Sequence, residues 1–193
     1  MKKVLIDNGH GWDTAGKRSP DGMLREGIFA RDIARRLGVE LEERGVPYQL
    51  ITPEKEDTPL ATRVHRANEA HKQYAEGTIL ISLHSDACQG KGWHKARGMS
   101  VHVAPNASQN SKTLARCLYS SWENLRLKAR KYKGDTQPYW TQNLAICRDT
   151  KMPAVLVEMF FHDNEDDVAW ALSESGKEML VKALADGVCS FVK

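Results

Sequence analysis

Short apolar runs alternate along this chain with longer stretches of helical period. Val4-Leu5-Ile6 ends at once in Asp7-Asn8-Gly9-His10-Gly11, which predicts a strand that stops and exposes its end. Glycines on both sides of His10 let the backbone turn with no Cβ in the way. Residues 27–45 place Ile28, Ala30, Ile33, Leu37 and Leu41 near one face, helix spacing closed by Gly45. YQLIT (48–52) predicts a second strand, and 59–76 a second helix carrying Leu60, Val64, Ala67 and Ala70. TILISLH (78–84) is nearly all apolar, the pattern of a strand buried on both faces. GMSVHVAP (98–105) predicts a fourth strand, ended by Pro105, and 108–125 a third helix. LAICR (144–148) and AVLVEMFF (154–161) predict two further strands, and 164–172 and 175–191 two closing helices. The order βαβαββαββαα predicts an α/β fold: a mostly parallel sheet with helices on both faces and one strand reversed. The connections 89–97 and 126–142 are long, and binding surfaces gather on such loops.

Composition narrows the classes without choosing among them. At 193 residues the chain predicts a single domain, 1–193, with a real core. The net charge of +3 is spread along the chain and falls short of a nucleic-acid footprint. No stretch approaches the ~20 apolar residues that span a bilayer, so no membrane insertion is expected. Lys2-Lys3 is followed by too short an apolar run for a secretory signal. That pattern predicts either synthesis without a signal or a trimmed exported protein. Cys88, Cys117, Cys147 and Cys189 are scattered, with no CxxC spacing, and are expected to be reduced thiols.

Chemistry concentrates where the predicted strands end. In open α/β sheets ligands bind outside the carboxyl ends of the strands. The first strand delivers His10, the third His84 and the last Glu158, while Glu26 opens the first long helix. Each has a plain structural explanation taken alone. Glu26 would complement the helix dipole, His84 would bond to backbone, and Glu158 would pair with a buried cation. A carboxylate inside an apolar segment is costly unless it is paired, hydrogen-bonded or neutralised. Together the four make a hydrolytic set. Two imidazoles and a carboxylate are a recurrent zinc-ligand combination with one open position. Such zinc acidifies water and polarises a carbonyl, leaving a second carboxylate to shuttle the proton.

These same segments resemble the catalytic domain of zinc-dependent N-acetylmuramoyl-L-alanine amidases, the type found in bacterial cell separation and in phage endolysins. VLIDNGHG is similar to that family's opening strand and metal-binding turn, and REGIFARDIARRLGVELEERG to its ligand glutamate and following helix. LATRVHRANEA, ISLHSDA and PAVLVEMFFHDNEDD resemble the arginine and Ala-Asn segment, the second ligand histidine and the catalytic glutamate segment. The resemblance implies a twisted six-stranded sheet and one Zn2+ held by His10, Glu26 and His84. It implies Glu158 as general base and acid, and peptidoglycan as the partner. The reaction implied is hydrolysis of the amide between N-acetylmuramic acid and L-alanine of the stem peptide. A phage lysin or a trimmed exported enzyme acting on the cell wall would fit the missing signal.

Alternatives remain at this stage. A zinc peptidase or a carbohydrate deacetylase would use the same donors on another amide. A non-catalytic wall-binding module would have lost a ligand or Glu158, and all four are present. Asp86 stands where the family commonly has Asn, and Phe160 where it often has Gly. Asp86 and Arg63 are expected to touch substrate, Asp7 to orient a ligand imidazole, and Phe160 to narrow the cleft. His94 and His162 are read as substrate contacts or bystanders, and His102 as a packed or surface residue. Trp93, Tyr139 and Trp140 are read as glycan platforms or loop anchors. The interval 106–143 is too short for the inhibitory helix of regulated relatives, which predicts an open site.

Overall fold

A computed structural model describes residues 1–130 and 137–192. Its elements are β1 (Lys3–Asn8), α1 (Glu26–Glu43), β2 (Tyr48–Leu50), α2 (Leu60–Gln73), β3 (Thr78–Asp86) and β4 (Ser100–Val103). They continue with α3 (Gln109–Asn124), β5 (Trp140–Thr141), α4 (Ala145–Arg148), β6 (Ala154–Phe161), α5 (Glu165–Leu172) and α6 (Glu174–Val192). The six strands form one sheet in the order β2-β1-β3-β6-β4-β5. β2, β1, β3 and β6 run parallel, β4 is antiparallel to β6, and β5 is parallel to β4. Two strands are therefore reversed where the sequence pattern predicted one.

Alternation along the strands sorts the core onto two faces. Val4, Ile6, Ile79, Ile81, Leu83, Val101, Val155 and Val157 join one cluster with α1, α3 and α6. Leu5, Leu80, Ala154 and Leu156 join a smaller one with α2 and α4. Asp7, Ser82, His84, Glu158 and Ser100 share the parity of this second set, so the polar row lies on the thinner layer's face. This is the predicted three-layer architecture.

Local departures have identifiable causes. LAICR, predicted as a strand, forms the short helix α4, with Ile146 and Cys147 packed on the smaller core. Four residues with apolar groups two apart satisfy either period. The strand that was displaced is β5, whose two residues carry no pattern at all. On α1 the packed face holds Phe29, while Ile28 is 40% exposed. Leu60 on α2 is likewise exposed, and Arg63 is buried in its place. Between His84 and Asp86 the register of β6 gains a residue, from Glu158 to Phe161. This bulge breaks alternation and sends both Met159 and Phe160 into the larger core. Phe160 packs edge-on against Phe29, ring centroids 5.1 Å apart, and does not narrow the cleft. The four cysteines are unbridged. The stretch 106–143, on which the open-site expectation rests, includes 131–136, which lie outside the described residues.

Candidate active site and metal centre

The tip of β1 presents His10 in an uncommon backbone state. Its φ is 59°, a left-handed conformation that costs a residue with a Cβ about 1–2 kcal/mol. Contacts from two other segments hold it there. Arg31, buried on α1, donates from Nη1 to the carbonyls of His10 (2.5 Å) and Gly27 (2.7 Å) and from Nε to Glu54 (2.6 Å). Gly11 donates its N–H to Thr14 Oγ1 at 2.8 Å, and that hydroxyl donates to Asp57 Oδ2 at 2.7 Å. Gly27 is required by close approach, since a Cβ there would overlap the Gly11 carbonyl.

Glu26 and His84 meet this turn from α1 and β3. Glu26 Oε1 lies 3.0 Å from His84 Nδ1 and 3.7 Å from His10 Nε2, and accepts the Ser85 N–H at 3.1 Å. The two imidazoles stand edge to face, centroids 5.1 Å apart. One donor atom from each of His10, Glu26 and His84 falls within 4.8 Å of the others. Burial would raise the Glu26 pKa, but the hydrogen bond and charge of His84, with His10 beside them, outweigh it and hold it near 2. Burial lowers His10 to about 4, leaving the neutral imidazole that a metal requires. Two imidazoles and a carboxylate suit zinc, and Glu26 Oε2 is buried with no hydrogen-bond partner among the described residues. The residues fit a zinc ion.

Glu158 is the Cα partner of His84 across the parallel β3–β6 ladder, and so projects to the same face. Its Oε2 is buried without a hydrogen-bond partner among the described residues. Desolvation pushes its pKa up to about 8; the His84 charge opposes this, while Glu26 and Asp86 add to it. A carboxyl poised this close to neutrality can both take and return a proton.

The remaining expected site residues fall in different places. Asp7 is buried and hydrogen-bonds neither imidazole among the described residues. It accepts from Ser82 Oγ (2.6 Å) and Thr52 Oγ1 (3.3 Å) and lies 3.7 Å from Arg63 Nη1. The expected link from Asp7 to a ligand imidazole is therefore absent, because serine and threonine hydroxyls take its oxygens. Arg63 lines the cleft, but its guanidinium braces loops, donating to Thr58 O (2.7 Å), Asp57 Oδ1 (2.7 Å) and Asn8 O (3.4 Å). Asp86 holds Arg130 at 3.1 Å, and that guanidinium lies over Trp140 and Phe161. His102 is packed, 2.9 Å from Ser100 Oγ. Tyr139 is a buried anchor over which Arg116 sits, while Trp93 remains 38% exposed.

Sequence reasoning missed the supports. Arg31 was legible as a charge on the packed face of α1, four residues after Gly27. His162 is 3% exposed and bonds Ser85 Oγ at 2.9 Å, with its Nδ1 3.8 Å from Glu26 Oε2. The signal was its place directly after β6, whose residues are apolar but for Glu158. A cleft of about 390 Å³ opens over His10, His84, Arg63 and Asp7, with apolar walls from Pro59, Leu60, Leu144 and Leu156.

The chain is similar to known proteins along nearly its whole length. Residues 4–190 match the profile of a family described as N-acetylmuramoyl-L-alanine amidase. The chain belongs to that amidase family. It is 24% identical over 192 residues to the endolysin of Bacillus phage SPP1, covering 99% of this chain and 66% of that protein. It is 25% identical to the probable cell wall amidase LytH of Staphylococcus saprophyticus, covering 98% of this chain and 58% of the relative. The chain thus spans less than two thirds of the length of these relatives. Among solved structures, the N-acetylmuramoyl-L-alanine amidase of Clostridium difficile 630 superposes with a TM-score of 0.84 at 22% identity, over 99% of this chain and 96% of that one. The catalytic domain of CwlV, the amidase from Bacillus (Paenibacillus) polymyxa var. colistinus, gives 0.83 at 21% identity, over 100% and 98%. These likenesses show that the amidase fold is shared.

Proposed function

We propose that this chain is a zinc-dependent peptidoglycan amidase that cleaves the bond between N-acetylmuramic acid and L-alanine. The observation that carries the reading is the pairing of Glu158 with His84 in register, beside the His10–Glu26–His84 cluster. Zinc held by those three residues would supply a Lewis acid that polarises the scissile carbonyl and acidifies water. Glu158 takes the proton from the attacking water and returns it to the leaving amine of L-alanine. Its desolvated setting keeps proton affinity high enough for both transfers. The Arg31 and Asp57 contacts fix the His10 turn so that the donors are held in place before substrate arrives. The cell wall is the site of action, and no described helix is long and apolar enough to cross a membrane. In this reading no part of 106–143 restrains the site, and trimming it leaves activity no higher.

Mass spectrometry of digested, purified peptidoglycan tests the reading. Intact stem peptides with free L-alanine amino termini, absent after chelation and restored by zinc, are expected. Cleaved stem peptides or released acetate would overturn it in favour of a peptidase or a deacetylase.

A further inference from the structure

The loop between β1 and α1 borders a second, open cavity of about 350 Å³ beside the His10–Glu26–His84 cluster. Its lining includes Trp12, Asp13, Lys17, Arg18 and Arg25, three cations against one acid. Arg18 and Arg25 face each other across an isolated antiparallel bridge, which sets like charges side by side. Among the described residues neither forms an ion pair. The Lys17 ammonium pairs among the described residues with Glu26, its Nζ 3.9 Å from Oε2. Trp12 Nε1 is buried without an acceptor. Unbalanced positive charge in a concavity focuses the field on whatever anion enters, and guanidinium groups match carboxylates in a planar, two-pronged way.

The position of the cavity indicates which anion it serves. Arg25 adjoins Glu26 in sequence, and Lys17 touches Glu26 in space, so the cavity lies one side chain from the donor cluster. Extended peptide advances about 3.3–3.6 Å per residue, which places the second residue of a stem peptide within reach when its first amide is at the centre. We propose that this cavity is a subsite for a free carboxylate of the stem peptide next to the scissile bond, with Arg18 and Arg25 as its specificity determinants. The proposal rests on the amidase reading.

The test compares two muramoyl peptides that differ only in whether the carboxylate of the second residue is free or amidated. The wild-type protein is expected to prefer the free acid by about tenfold in kcat/KM, through KM, the size of one charge-assisted contact. Arg18→Gln should bring that ratio close to one, and Arg18→Lys should restore most of it, with thermal melting confirming that both variants fold. Equal cleavage of the two peptides by the wild type, or an unchanged ratio in Arg18→Gln, would overturn the subsite. Cleavage of neither peptide would overturn the amidase reading itself. Inorganic phosphate and poly(glycerol phosphate) serve as competitors. Inhibition by the polymer that Arg18→Gln abolishes, with the peptide ratio unchanged, would assign the cavity to phosphodiester anions and refute the carboxylate proposal.

Discussion

Replacing Glu158 by Gln should change how the metal-free protein responds to pH. The folded carboxyl titrates at about 8, against an ordinary value of 4.5. Between those values the folded protein keeps a proton that the unfolded chain has released. The unfolded state then binds fewer protons, so stability falls as pH rises through this window. Each pH unit is worth about 1.4 kcal/mol, and the whole window about 5 kcal/mol. That is a large share of the 5–15 kcal/mol that holds typical domains together. The contribution is fully present below pH 4.5 and gone above about 8. Glutamine has the same shape and no titration, so Glu158→Gln removes this slope while removing the proton carrier. Urea unfolding of chelator-treated protein, followed by tryptophan fluorescence at pH 5 and pH 9, measures the difference. The wild type should lose about 4 kcal/mol relative to the variant across that range. Parallel pH profiles would refute the claim that desolvation governs Glu158.

Other perturbations probe the supports of the site. A Cβ on Gly9 would overlap the His84 ring, so Gly9→Ala should displace that imidazole and weaken zinc binding at least tenfold in chelator competition. Asp57→Ala removes the partner of Arg63 Nη2 and of Thr14 Oγ1. It should loosen the His10 turn and lower zinc affinity about tenfold, with Asp57→Asn retaining part of it; unchanged affinity would deny Asp57 that role. Trp122 is 1% exposed in the larger core. Trp122→Ala should cost about 3–5 kcal/mol in urea denaturation with zinc affinity unaltered, and a loss below about 1 kcal/mol would contradict its packing.

The strands of the sheet's centre were legible because burial on both faces leaves an unmistakable mark. Ile79 to Leu83 could be little else. The candidate site was legible for a related reason: His10 and His84 stand just past such runs and Glu158 lies inside one, where polar groups need a justification. Edge elements were harder. β5 is two residues long, and its neighbour Leu144–Arg148 is too short for period to decide between strand and helix. Phe160 was misplaced because a bulge is set by how two strands pair, which a single strand's pattern does not record. Arg31, Asp57 and His162 act through contacts between segments far apart in the chain. Arg31 and His162 stood out as polar groups in apolar surroundings, but the segments they brace are set by the fold.

The pairing of β3 with β6 also bears on when the protein can act. His84 and Glu158 come together only after a segment carrying β4, α3, β5 and α4 has been closed between them. Closing a long loop is entropically costly before its contacts form, which places such pairings late in folding. A chain emerging from synthesis can therefore hold the β1 turn and the start of α1 without possessing a working centre. The last interior strand completes the set, so a chain that stops short of β6 lacks the carboxyl that faces His84.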